Sequence, residues 1–163
     1  MQMAIQPGAS LPMDLKLKEA GESGPADVTV GDIFKGKKVV LFAVPGAFTP
    51  TCSIKHLPGF VEKADEILAK GVDEIVCISV NDAFVMGAWG KANNAGGKVR
   101  MVADGNGAFT AAVGLELDAS GFGMGKRSQR YALVATDGKV DALFVEEGPG
   151  LNVSSADAVL ASL

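Results

Sequence analysis

The sequence predicts an α/β fold with a central mixed sheet flanked by helices, in a single domain spanning residues 1–163. Three features predict it. Short, continuous, β-branched apolar runs recur along the chain, as in strands buried on both faces. Segments with apolar residues at helical spacing separate them. The last two apolar runs meet at Asp137-Gly138, a hairpin signal that adds antiparallel pairing.

Residues 1–38 are rich in turn formers, with strand or hairpin character around Leu15–Leu17 and Val28–Val30. Lys38–Val44 is the first clear buried strand, ended by Pro45-Gly46. A helix follows. Thr49 suits its N-cap and Pro50 its first position, where a missing N–H costs nothing. Leu57, Phe60, Val61, Ala64, Ile67 and Leu68 form its buried stripe, Pro58 should kink it and Gly71 closes it. Glu74–Val80 reads as a second buried strand. Asn81-Asp82 caps a helix to about Asn93 that carries Phe84, Val85 and Trp89, and Val99–Ala103 is a third strand. A short helix near Gly107–Val113 precedes residues 118–129, which are rich in Gly and Ser and read as a loop. Tyr131–Ala135 and Val140–Val145 form the closing hairpin, and Ser154 or Ser155 caps a last helix ending at Leu163. Strands alternating with helices imply a largely parallel sheet, made mixed by the hairpin. A thioredoxin-like sandwich fits this order, as do other α/β sheets.

Composition narrows the chemistry. The chain has 163 residues, 48% hydrophobic and 21% charged, enough to build a core. A net charge of -4 argues against a nucleic-acid partner. The longest wholly apolar run, Val39–Val44, is six residues, far short of the roughly 20 that span a bilayer. No secretory signal is apparent, so the expected address is cytoplasmic. Two cysteines and one histidine cannot supply a four-ligand zinc site, and no metal or bound cofactor is expected. Cys52 and Cys77 lie 25 positions apart, outside any C-x-x-C spacing, and read as free thiols.

The informative segment is Pro45–Cys52. Cys52 follows a strand and falls in the first turn of a helix, and open α/β sheets build sites at the carboxyl ends of strands. A helix start offers free N–H groups and a positive dipole end, which favour a thiolate. Thr49-x-x-Cys52 is similar to a redox C-x-x-C with its first cysteine replaced by threonine, and a dithiol exchanger needs both sulfurs. An ordinary thiol is only about 3% ionised at neutral pH. A helix end supplies about 0.3–1 kcal/mol toward ionisation, whereas a fixed cation about 4 Å away supplies up to about 4 kcal/mol. A nearby arginine is therefore expected, and the sulfur should be exposed enough to meet a substrate.

Pro45-x-x-x-Thr49-x-x-Cys52 resembles the active-site pattern of the peroxiredoxins. Ala43–Pro50, His56-Leu-Pro-Gly-Phe60, Cys77–Phe84 and Gly87–Gly90 resemble the type II branch, and the likeness runs from about Val30 to Leu163. The resemblance implies a thiol peroxidase on a thioredoxin fold. Cys52 would attack a peroxide oxygen and become a sulfenic acid. Thr49 would set its hydroxyl against the sulfur and the peroxide, and Pro45 would shield the sulfur from water. Arg130, opening Arg-Tyr-Ala-Leu-Val, matches the family arginine that stabilises the thiolate and polarises the peroxide.

Each residue also has a plainer reading. Thr49 is simply an N-cap, or both cap and catalytic group. Cys77 sits among Ile75, Val76 and Ile78 and reads first as a small buried hydrophobe, with a resolving thiol as the alternative. Some family members carry a resolving cysteine near the C-terminus, and Gly148–Ser155 has none. His56 lies four positions after Cys52, so it either pairs with the thiol or orders the helix by hydrogen bonding. Lys126 and Arg127 read as solvated loop charges beside Arg130. Phe84, Trp89 and Phe122 read as core, although the resemblance implies that the region after the second strand and the loop near 118–125 help form a homodimer. The expected function is antioxidant. It is reduction of hydrogen peroxide and alkyl hydroperoxides, recycled by an external thiol reductant. Glutathione with glutaredoxin is the first choice and thioredoxin the second. Competing classes are a thiol–disulfide exchanger or chaperone, and a peroxide sensor that is not recycled.

Overall fold

The computed structural model describes residues 4–148 and 150–163. The turn-rich start folds as a hairpin of β1 (Lys16–Gly21) and β2 (Gly24–Thr29). Thr29 and Asp32 then form a reciprocal capping box on α1 (Val30–Phe34), a helix absent from the sequence reading. β3 (Lys38–Val44) leads through a π-helical turn, Cys52–His56, into α2 (Leu57–Leu68). β4 (Glu74–Ser79), α3 (Ala83–Ala92), β5 (Arg100–Ala103) and α4 (Ala108–Ala112) follow close to their expected places. β6 (Glu116–Asp118) and β7 (Lys126–Ser128) precede the closing hairpin of β8 (Tyr131–Thr136) and β9 (Lys139–Val145), and α5 (Ala156–Ser162) ends the chain.

The main sheet has the order β2-β1-β5-β4-β3-β8-β9. It is mixed, as expected, but it is not largely parallel. Only β5-β4 and β4-β3 pair parallel, because the N-terminal hairpin docks antiparallel on β5 and the closing hairpin antiparallel on β3. Asp137 and Gly138 turn the closing hairpin with φ of 50° and 76°, the positive pair that a two-residue turn of matching twist requires.

Alternation along β3 feeds two cores. Val40, Phe42 and Val44 face Leu57, Phe60, Trp89 and Val159 on the side of α2, α3 and α5. Val39, Leu41 and Ala43 face Ile33, Phe34, Phe109 and Val113 on the side of α1 and α4.

Three expectations need correction. Residues 118–129 are not simply a loop, since β6 and β7 pair across a 3-10 turn at Ser120–Phe122. The Asp118 carboxylate accepts from the Ser120 N–H at 2.9 Å, and Gly123 and Gly125 turn the chain back with positive φ. Trp89 is core, but Phe84 and Phe122 are 73% and 86% exposed. Phe84 stands on the outer side of the first turn of α3, and Phe122 sits in the 3-10 turn, where neither faces the sheet. The kink expected at Pro58 takes the form of the π-turn just before it. Pro58 has no N–H for the Ile54 carbonyl, and Leu57 reaches back five residues to the Cys52 carbonyl instead. Among the described residues no helix is long and apolar enough to cross a membrane.

Candidate active site

The site forms where β3 ends. The loop that leaves β3 is pinned to the loop that leaves β4. Asn81 Oδ1 accepts from the Ala47 N–H at 3.0 Å, and Ser79 Oγ lies 2.6 Å from Asn81 Oδ1 and 3.1 Å from the Val44 carbonyl oxygen. Phe48 takes a left-handed φ of 64°, an uncommon conformation for a bulky residue. Thr49 occupies the N-cap place, since its carbonyl accepts from the Ser53 N–H at 2.9 Å. Its side chain does not cap. The Thr49 hydroxyl donates back to the Gly46 carbonyl at 2.6 Å, which commits its proton and leaves its lone pairs to accept.

Cys52 and His56 are both buried in the π-turn, and the core Trp89 indole anchors the turn by donating to Ser53 Oγ at 2.9 Å. Arg130 reaches them from another part of the chain. It immediately precedes β8, and β8 runs antiparallel to β3 with Tyr131 opposite Ala43, so the start of β8 lies beside the end of β3. Arg130 Nη2 donates to Cys52 Sγ at 3.1 Å, and Arg130 Nη1 donates to His56 Nδ1 at 2.9 Å. A guanidinium only donates, so His56 Nδ1 is an acceptor and its proton sits on Nε2, which donates to the Ser154 carbonyl at 2.9 Å. Burial pushes the His56 imidazole down to about 3, and the Arg130 charge acts the same way against the Ser154 bond, so the ring is neutral at physiological pH. Among the described residues no carboxylate lies within ion-pair distance of Arg130, a guanidinium only 6% exposed.

The structure therefore brings Cys52, His56 and Arg130 together, with Thr49 and Pro45 on the loop beside them. The sulfur's expected exposure is not met: Cys52 is 0% exposed. Its inner neighbours are the apolar core of α2 and β3, and the chain on its outer side is only partly covered, with Pro45, Ala47, Thr49, Thr51 and Ser53 all half-buried. His56 does not pair with Cys52 directly; both are held by Arg130.

Cys77 lies mid-strand in β4, opposite Phe42 and Met101, fully buried and free. Burial pushes its thiol well up, and the neighbouring Cys52 adds to this, so it is a poor nucleophile where it stands. Lys126 is exposed as read, but Arg127 is not a solvated charge. Its Nε donates to the Met124 carbonyl at 3.0 Å and its Nη1 reaches the Pro45 carbonyl at 3.5 Å, against Gly46, where a Cβ would crowd it at 3.2 Å. Sequence reasoning missed Ser79 and Glu146, and read Asn81 and Ser154 only as helix caps, not as parts of the site. Ser155, not Ser154, caps α5. No cluster of His, Cys, Asp and Glu side chains able to hold a metal ion occurs among the described residues.

Residues 6–160 match the Redoxin family. The chain is 56% identical over 135 residues to peroxiredoxin-2B of Arabidopsis thaliana, covering 83% of each chain. Among solved structures it is similar to reduced Prx3 from Vibrio vulnificus in complex with hydrogen peroxide, with 52% identity and a TM-score of 0.92 over 97% of this chain and 98% of that one. It is also similar to peroxiredoxin 5 from Alvinella pompejana, with 37% identity and a TM-score of 0.85 over 97% of both chains.

Proposed function

Because the chain belongs to the Redoxin family, and within it to the type II peroxiredoxins, which are thiol-dependent peroxidases, we propose that Cys52 is its peroxidatic nucleophile, with Arg130, Thr49 and Pro45 as its site. The observation that carries this reading is the Arg130 guanidinium. It is buried, bonded to a neutral histidine and to the Cys52 sulfur, and without a carboxylate partner among the described residues. A buried cation without a counter-charge is costly, and a Cys52 thiolate supplies that charge. For charges about 4 Å apart the attraction is worth up to about 4 kcal/mol at an effective dielectric near 20.

The Cys52 thiolate attacks one peroxide oxygen. An S–O bond forms as the O–O bond breaks, and the O–O electron pair leaves on the departing oxygen, which takes a proton to become water or an alcohol. Arg130 donors stabilise the charge that develops on the oxygens. Thr49, its own proton given to Gly46, accepts from the peroxide O–H and orients it. Pro45 limits water at the sulfur. The substrates are hydrogen peroxide and small alkyl hydroperoxides, and the hydrogen peroxide complex of the Vibrio vulnificus relative supports the first of these.

The resulting sulfenic acid condenses with an external thiol, releasing water and forming a mixed disulfide that a second thiol reduces. Two observations support an external donor over Cys77: burial of that thiol and its place in the middle of β4. Glutathione with glutaredoxin is the proposed reductant and thioredoxin the second, with no bound cofactor. Large apolar side chains exposed at Phe48, Ile54, Phe84 and Phe122 support a homodimer. The cytoplasmic address is likewise a proposal, tested by cell fractionation.

Stopped-flow peroxide reduction with the glutathione–glutaredoxin and thioredoxin systems in parallel tests the reading. Wild-type protein should consume peroxide catalytically, and Cys52→Ser should not while keeping its fold. Full activity in Cys52→Ser defeats the assignment. Insulin reduction without peroxide use would favour an exchanger, and a single turnover without recycling would favour a sensor.

A further inference from the structure

We infer that Glu146 is a positioning residue for peroxide reduction, setting the orientation of Arg130 through Ser154 and His56. The inference rests on the reading of Arg130 as the group that serves Cys52. It adds a residue immediately after β9 that touches neither sulfur nor guanidinium head.

Glu146 holds Arg130 from two directions. Its backbone N–H donates to the Arg130 carbonyl at 3.0 Å, which fixes the root of the arginine. Its side chain acts on the tip by a longer route. One carboxylate oxygen, Oε2, collects the N–H groups of Asn152 at 2.9 Å, Val153 at 2.8 Å and Ser154 at 2.8 Å, and the Ser154 hydroxyl at 2.7 Å. Three successive N–H groups converging on one anion curl the backbone into a nest. The curl turns the Ser154 carbonyl onto His56 Nε2, at 2.9 Å. That bond fixes the tautomer, so Nδ1 is left to accept from Arg130 Nη1. The hydrogen bonds close a ring that runs Arg130, Glu146, Ser154, His56 and back to Arg130.

The ring is made of buried groups. Glu146 is 7% exposed, Ser154 0%, His56 1% and Arg130 6%. Burial alone would raise the Glu146 carboxyl, but the bonds from Ser154, Val153 and Asn152 outweigh it and hold the group below the usual carboxylate range, so it is charged when it organises the nest. An arginine head has several torsions to lose, and a displacement of about 1 Å at a reacting group costs on the order of 100-fold in rate. With the nest dissolved, His56 is free to take the other tautomer, which presents an N–H to the guanidinium and pushes it away from the sulfur.

The 163-residue chain contains one histidine, so nitrogen-15 NMR of the reduced enzyme reports a single imidazole. Wild type should show one Nε2-protonated tautomer. Glu146→Ala should show a tautomer mixture, a peroxide-limited kcat/KM lowered about 10- to 100-fold, and a parallel loss in the rate of Cys52 alkylation at neutral pH, with the KM for the thiol reductant unchanged. Glu146→Gln keeps one acceptor oxygen and should fall between the two in both readouts. A folded Glu146→Ala protein with the wild-type tautomer and peroxide rate overturns the inference. Should that variant fail to fold, Glu146→Gln decides, and wild-type behaviour in both readouts overturns it equally. A wild-type enzyme that consumes no peroxide would sink the peroxidase reading instead, whatever the variants do.

Discussion

Arg130 Nη2 lies 3.1 Å from the Cys52 sulfur although 78 positions separate the two residues in the chain. The contact exists because β8 runs antiparallel beside β3, which sets the start of one strand against the end of the other. A helix start alone contributes less than a cation at this distance.

Arg130 is therefore the residue whose loss should be felt most after Cys52. Arg130→Ala is expected to lower the peroxide rate constant by two orders of magnitude or more, about 3 kcal/mol of transition-state stabilisation. Arg130→Lys should recover little, because one ammonium cannot span both His56 Nδ1 and the sulfur in the fork geometry. Stopped-flow peroxide reduction and iodoacetamide alkylation at neutral pH measure both effects. Rates within twofold of wild type in the alanine variant would remove Arg130 from the site.

Acid should destabilise the fold through His56. The folded ring protonates only near pH 3, whereas the unfolded chain takes up that proton near pH 6.5, so stability is full above 6.5 and falls as pH drops through the interval. The loss is on the order of 5 kcal/mol across the whole span. Glu146 acts in the same direction at lower pH, since its depressed carboxyl must be protonated before the nest dissolves. Urea unfolding at a series of pH values measures the slope, and His56→Leu should flatten it between pH 6.5 and 5. A His56 resonance that titrates above pH 6 in the folded protein contradicts the prediction.

Cys77→Ala should leave peroxide turnover with an external thiol within about twofold of wild type and cost about 1 kcal/mol of stability from the lost buried sulfur. Mass spectrometry after one equivalent of peroxide should find Cys52 as sulfenic acid or as a mixed disulfide. A stoichiometric Cys52–Cys77 disulfide would make Cys77 a resolving thiol after all.

The exposed phenylalanines give a test of assembly. Phe84→Glu and Phe122→Glu should each fold as wild type, and at least one should shift the sedimentation coefficient from dimer to monomer. Wild-type protein that sediments as a monomer at micromolar concentration would dispose of the homodimer.

Much of the scaffold was legible because its signals are local. A β-branched run such as Val39–Val44 has few alternatives to a buried strand, Asp82 caps α3 with its own carboxylate, and Asp137-Gly138 supplies the two positive φ angles its turn needs. The N-terminal hairpin was harder to read, because β2 is an edge strand, β1 lies next to it, and both carry many exposed polar positions. The exposure of Phe84 was not readable either, because a helix stripe tells which residues share a face and not whether anything covers that face.

By itself, the sequence determined that a lone cysteine follows a buried strand, that Thr49 and Pro50 start its helix, and that the chemistry calls for a cation. These follow from neighbours within a few positions. Tertiary structure alone decided that the sulfur is covered, that His56 answers to Arg130 rather than to the thiol, and that Glu146 and Ser154 belong to the same hydrogen-bonded ring. Those relations join residues as far as 98 positions apart, and the chain brings them together only through strand pairing and burial, which no local pattern records.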